Sequence, residues 1–166
     1  APPAVSPFVE PPPALPELLA YWPLAADAQN QVVETNHGVV MGAALFHDDS
    51  LLLNGTDAYI NFGPSLRITN SLSVAVWLKP AGEDRLLRVL GAFQVENNQR
   101  QYSLFLNAGN RLFVFFSDNG TADAGHAFLR ATLVPVASTT DFHQVVMTWD
   151  SAQGTEGLKL YADGVP

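Results

Sequence analysis

Residues 157–166 read GLKLYADGVP, and how this stretch alternates decides the fold class. Over 158–161 apolar and polar side chains take turns, the period-2 pattern of a strand with one wet face. Asp163-Gly164 is a turn dipeptide of the kind that joins two antiparallel strands. A strand followed by such a turn calls for a returning strand from Val165, because the backbone groups of the first arm need partners. Only two residues follow the turn, so the expectation is a chain that stops before its closing strands.

Working outward, the same grammar repeats. Strands are expected near 18–24, 39–46, 50–53, 58–62, 71–79, 86–95, 101–106, 111–116, 127–134, 142–149 and 158–161. Between them lie turn residues: Asn36-His37-Gly38, Asn54-Gly55, Gly63-Pro64, Pro80-Ala81-Gly82, Asn97-Asn98, Gly109-Asn110, Asn119-Gly120 and Gly154. Gly and Asn tolerate positive φ and Pro fixes its own, so each cluster punctuates the pattern. No segment sustains a 3.6-residue period over helical length. Short strands at regular spacing predict an all-β, antiparallel sandwich or barrel.

Composition narrows the function classes. A chain of 166 residues that is 48% hydrophobic has material for one good-sized core. The net charge of −8, with no basic cluster, argues against nucleic acid and anionic membrane surfaces as partners. No apolar run reaches the length of a membrane span, so no membrane insertion is expected. With no cysteine there is neither a disulfide framework nor a Cys-ligated zinc site. Residues 1–17 are rich in proline and are expected to form an extended linker or tail.

Six segments, taken in order, resemble the laminin-G-like domains of the concanavalin A-like lectin/glucanase superfamily. They are LAYWPL at 19–24, NHG at 36–38, LLNGTDAYI at 52–60, SLSVAVWLKP at 71–80, DFHQVVMTWD at 141–150 and LKLYADGV at 158–165. Phe142 stands where that family usually has Trp, which keeps an aromatic anchor. The resemblance implies a two-sheet antiparallel jelly-roll sandwich over 18–166, incomplete at its C-terminus because the family normally continues for several more strands. It also implies a non-catalytic module that binds a glycan or protein ligand, within an extracellular or cell-surface polypeptide carrying other domains. Two alternatives stand beside it: an accessory domain of a secreted glycoside hydrolase, and a structural spacer in an adhesin.

The cofactor the resemblance implies is a structural calcium. Candidate ligands are the loop carbonyls of Asn36 and Gly38 with Asp27 or Glu34, since Ca²⁺ takes about 6–8 oxygen ligands. Asp48-Asp49 and Asp118-Asn119 with Asp123 are further acidic turns, without the spacing of an EF-hand loop. For stacking on sugar rings, alternation puts Phe113 and Phe115 on one face of a strand and Phe116 on the other. Tyr102 and Phe116 are the candidates for an exposed, ligand-binding face, whereas Trp77 and Trp149 are assigned to the core.

Catalytic residues are not found. The glucanases of this superfamily carry two carboxylates on one strand face in an E-x-D-x-x-E string, and no such string occurs here. Glu83, Asp84, Glu96 and Glu156 are isolated acids in turns. His37, His47, His126 and His143 lack metal-ligand spacing, and no Gly-rich phosphate loop is present. Asn54-Gly55-Thr56 and Asn119-Gly120-Thr121 also match glycosylation sequons, which matter only in a eukaryotic secretory pathway.

Overall fold

A computed structural model describes residues 18–64, 66, 68, 71–81, 86–131 and 140–166. The linker expected at 1–17, Gly82, the acids Glu83 and Asp84, and the end of the strand expected at 127–134 lie outside the described residues. Among the described residues the strands are β1 (Val39–Met41), β2 (Leu45–His47), β3 (Ser50–Leu52), β4 (Tyr59–Asn61), β5 (Leu72–Leu78) and β6 (Leu87–Gln94). They continue with β7 (Gln99–Asn107), β8 (Arg111–Ser117), β9 (Ala127–Ala131), β10 (His143–Trp149) and β11 (Lys159–Ala162). Two short 3₁₀ segments, Glu96–Asn98 and Ser151–Gly157, are the only helical turns among the described residues. All strand pairing is antiparallel.

The chain forms two compact units, Ala1–Phe62 and Gly63–Pro166. In the first, β1 pairs with β4 and β2 pairs with β3. The strand expected at 39–46 is broken after Met41, where Gly42 takes a left-handed φ of 62° and turns the chain. No strand forms at 18–24. Its backbone finds partners locally: Tyr21 N–H donates to the Asn30 side-chain oxygen, and Tyr21 C=O accepts from Gln31 N–H. A buried asparagine thus does the work a neighbouring strand was expected to do.

In the second unit a three-stranded sheet, ordered β11-β10-β5, faces a four-stranded meander, β6-β7-β8-β9. Tyr102, Leu104 and Leu106 on β7 and Leu112, Val114 and Phe116 on β8 alternate toward Val145, Met147 and Trp149 on β10, with Leu158 and Leu160 completing the layer. These residues form the apolar layer of an all-β sandwich. Trp149 is its centre, stacked on Phe116 at 4.1 Å and on Phe128 at 5.2 Å between ring centroids. The core assignment of Trp149 is borne out at 5% exposure.

Trp77 corrects the expectation made for it, being 63% exposed. Leu72, Val74, Val76 and Leu78 occupy the inward phase of β5, which leaves Ser73, Ala75 and Trp77 on the outward phase. Four aliphatic side chains outweigh one indole, because a one-residue slip would expose all four. At about 25 cal/mol per Å² that loss exceeds what burying a single Trp returns.

The stretch 157–166 forms β11 and its turn. Asp163 and Gly164 have φ of 50° and 79°, the double left-handed conformation of a tight hairpin turn. Ala162 and Val165 exchange both backbone hydrogen bonds at 2.9 Å, so the return begins where alternation predicts.

Candidate functional site

The outward face of the three-stranded sheet gathers the chemistry. Antiparallel register sets Gln144 opposite Trp77, Val146 between Ala75 and Tyr161, and Thr148 between Ser73 and Lys159. All these residues belong to the phase opposite the core, so they share one face. The result is an exposed indole with an amide beside it, a middle row of Ala75, Val146 and Tyr161, and a row of two hydroxyls and an ammonium. Indole faces stack on the C–H faces of a sugar ring, while amides and hydroxyls answer its hydroxyl groups.

One end of this face is braced by a His–carboxylate pair. His143 Nδ1 lies 2.7 Å from Asp163 Oδ2, and Gln144 N–H donates to Asp163 Oδ1 at 2.9 Å. The bond with His143, then that with Gln144, hold the Asp163 carboxyl below its ordinary pKa. The hairpin turn is thereby tied to β10 beside Trp77.

At the other end the Ser151–Gly157 segment closes a polar groove of about 390 Å³, lined in part by Ser71, Ser73, Thr148, Asp150, Gln153 and Lys159. Asp150 caps that segment, accepting from Ala152 N–H at 3.1 Å, from the Gln153 amide and from Ser71 Oγ. These bonds, with Lys159 nearby, hold its carboxyl below the ordinary range, so it is ionised at neutral pH. Gly157 is fixed by close approach, since a Cβ there would overlap the Asp150 carbonyl.

Tyr102 and Phe116, expected on an exposed face, are instead 7% and 2% exposed. They are register partners on β7 and β8 and point into the sandwich, where the Tyr102 hydroxyl donates to Leu66 C=O at 3.0 Å. Burial raises the pKa of that phenol. The separation of Phe116 from Phe113 and Phe115 is as expected, but the inward face is the one carrying Phe116. Phe113 and Phe115 lie on the other side with Phe93 and Phe105. There Phe105 stacks on Phe113 at 4.8 Å, and the Arg88 guanidinium lies 4.9 Å from the Phe93 ring centre. Phe105 and Phe115 are buried in this layer, which leaves neither ring open to a ligand.

The calcium candidates fall in a loop held by protein hydrogen bonds. The Asn36 carbonyl accepts from Trp22 Nε1 at 3.0 Å, and Asp27 Oδ1 accepts from Gln29 N–H at 2.9 Å. Gly38 N–H donates to Ala28 C=O, and a Cβ at Gly38 would overlap the Ile60, Ala28 and Phe62 side chains unless they moved. The loop is organised by Asn30, whose Oδ1 accepts from Tyr21 and Val32, whose Nδ2 donates to Thr35 C=O, and whose N–H donates to His37 Nδ1. Asp27 Oδ1 and the Asn36 carbonyl thus each already accept a protein hydrogen bond, so a cation would have to share those oxygens. Among the described residues, no group of three His, Asp or Glu could hold a metal ion. Asp48 pairs with His47, and Asp118 with His126.

The isolated acids lie where expected among the described residues. Glu96 accepts from Gln94, and Glu156 stands 3.7 Å from Arg130. The residues that sequence reasoning missed are Gln144, Thr148, Lys159 and Tyr161, together with the outward placement of Trp77. Their signal was present: strict alternation from Leu72 puts Trp77 with Ser73, and alternation from Leu158 puts Lys159 with Tyr161.

No helix among the described residues is long and apolar enough to cross a membrane. No curated protein and no solved structure gives a significant match to the chain. A family model described as the concanavalin A-like lectin/glucanases superfamily matches residues 54–166. With the antiparallel sandwich of the second unit and the six ordered segments, that match establishes that the chain belongs to the laminin-G-like domains of the concanavalin A-like lectin/glucanase superfamily.

Proposed function

We propose that this domain is a non-catalytic glycan-binding module of an extracellular or cell-surface polypeptide, with the outward face of the β11-β10-β5 sheet as its platform. Membership of the family supports carbohydrate or protein binding in general. The observation that carries the finer reading is Trp77, a large aromatic 63% exposed beside an amide and in line with hydroxyls. Exposure alone does not single Trp77 out; its register beside Gln144 and in line with Ser73 on one sheet face does. The flat face suits a sugar ring, whose C–H side stacks and whose rim makes hydrogen bonds. Laminin-G-like domains are typically extracellular, which fits a role at the cell surface.

The test is a glycan array probed with the full chain and with Trp77→Ala. The reading requires a neutral glycan hit that Trp77→Ala weakens by about tenfold, the scale of one lost aromatic contact. Product analysis on that hit should find the glycan intact. Hits unaffected by the substitution would remove the platform, and cleavage by the purified domain would remove the non-catalytic reading.

A further inference from the structure

Resting on that reading, we infer that the groove at the Asp150 end of the sheet is a second subsite, which takes one neutral sugar unit of a linear oligosaccharide laid along β5 toward Trp77. Placement, chemistry and pre-ordering carry it. The groove is continuous with the platform, because Ser73, Thr148 and Lys159 belong to both. Ser73 lies four residues from Trp77 on the same strand face, which at the strand rise is about 13 Å. That span separates two non-adjacent units of one chain more naturally than two separate ligands.

The groove's chemistry selects a neutral polyol. Asp150 is ionised and opposes an anion, while Lys159 opposes a cation. Lys159 stands near the Asp150 carboxylate, and its ammonium can donate to a hydroxyl held in the groove. Ser73 and Thr148 each offer both a donor and an acceptor, which matches hydroxyl groups that need both. The wall is pre-ordered: Asp150 N–H donates to Gly157 C=O at 3.1 Å, Gln153 N–H to Asp150 C=O at 3.1 Å, and Ser151 N–H to Ser71 Oγ at 3.2 Å. A site already ordered loses little freedom on binding.

Three tryptophans make the test direct, since each gives one indole N–H resonance. The Trp149 indole is buried on the core side, so occupancy of the groove is read from the backbone amide signals of Thr148 and Lys159, which line it. Trp77 reports on the platform, and Trp22 is the control. The full chain is titrated with gluco-, manno-, galacto- and xylo-configured monosaccharides and with the matching linear tetrasaccharides. Assignments come from single Trp→Phe variants. The expected result is that one tetrasaccharide series shifts the Trp77 indole signal and the Thr148 and Lys159 amide signals saturably. Lys159→Met with Thr148→Val should weaken that binding about tenfold, the loss of two hydrogen bonds. A retained Trp149 indole signal, from the core of the second unit, shows that the variant is folded. A shift of Trp77 alone, with the groove variant binding as the parent does, would overturn the second subsite and leave the platform standing. Absence of any shift across both panels would overturn the two together.

Discussion

Trp77 and Trp149 carry the same side chain on adjacent strands and have opposite fates. Trp149→Ala removes the ring on which Phe116 and Phe128 stack, and the expected cost is about 3–5 kcal/mol, read from denaturant unfolding. Trp77→Ala should stay within about 0.5 kcal/mol of the parent, because surface positions away from special features change little. Equal losses from both would mean that Trp77 is covered. Asp163 supplies a pH signature. Its carboxyl titrates below its unfolded value because His143 and Gln144 N–H bind the charged form. Its stabilisation is therefore complete above the unfolded pKa, about 3.9, and is lost as pH falls through the lower folded value. Asp163→Asn keeps a residue that accepts the left-handed turn, so it should flatten the stability profile on the acid side of pH 4, measured by melting across pH. A profile identical to the parent's would remove the pair from the account. Asp150 adds its own acid dependence in the same direction, through Ala152 N–H first and then Gln153.

Among the elements, the turn that opened the reading is the one most open to test. Gly164 has φ of 79°, and no atom lies within 4 Å of where a Cβ would stand. Gly164→Ala therefore probes backbone strain alone, and the left-handed conformation should cost about 1–2 kcal/mol. A neutral outcome in denaturant unfolding would show that the turn relaxes at no cost. Strand positions were legible because period 2 is a local signal: β5, β6, β8 and β10 each fall within two residues of the expected span. Which face turns inward was legible only where the two phases differ. On β5 they differ sharply, and weighing one Trp above four aliphatics produced the error. On β8 both phases are apolar, Leu112, Val114 and Phe116 against Phe113 and Phe115, so alternation separates the faces without saying which is inside. The segment at 18–24 reads as a strand because its composition is apolar. What denies it a ladder is one polar residue, Asn30, which meets Tyr21 N–H across nine positions. Long-range hydrogen bonds from a single side chain leave no period to detect. The candidate site was legible only strand by strand: alternation shows which residues of one strand share a face, but Gln144, Thr148, Lys159 and Trp77 come together across strands through register, which no one strand fixes.

At the scale of the whole molecule, charge decides between classes of glycan. The chain carries 8 Lys and Arg against 16 Asp and Glu, a net charge of −8 with histidines neutral. Such a field repels polyanions over roughly the Debye length, about 8 Å at physiological ionic strength. Among the described residues paired across the platform, the cation a sulfated or uronate-rich chain would meet is Lys159, which has the ionised Asp150 near it. Counterion release, which drives most polyanion binding, needs several phosphates, sulfates or carboxylates neutralised at once. A stacking site of Trp77 with amides and hydroxyls has no such requirement, because its contacts are uncharged. The expected outcome is that the full chain fails to retain on an immobilised sulfated polysaccharide at physiological salt. Its binding to a neutral oligosaccharide, where found, should change little when salt is raised severalfold. Retention on the sulfated matrix that weakens with added salt would place an electrostatic site elsewhere on the molecule. It would turn the assignment from neutral sugars at Trp77 toward an anionic partner at that other surface.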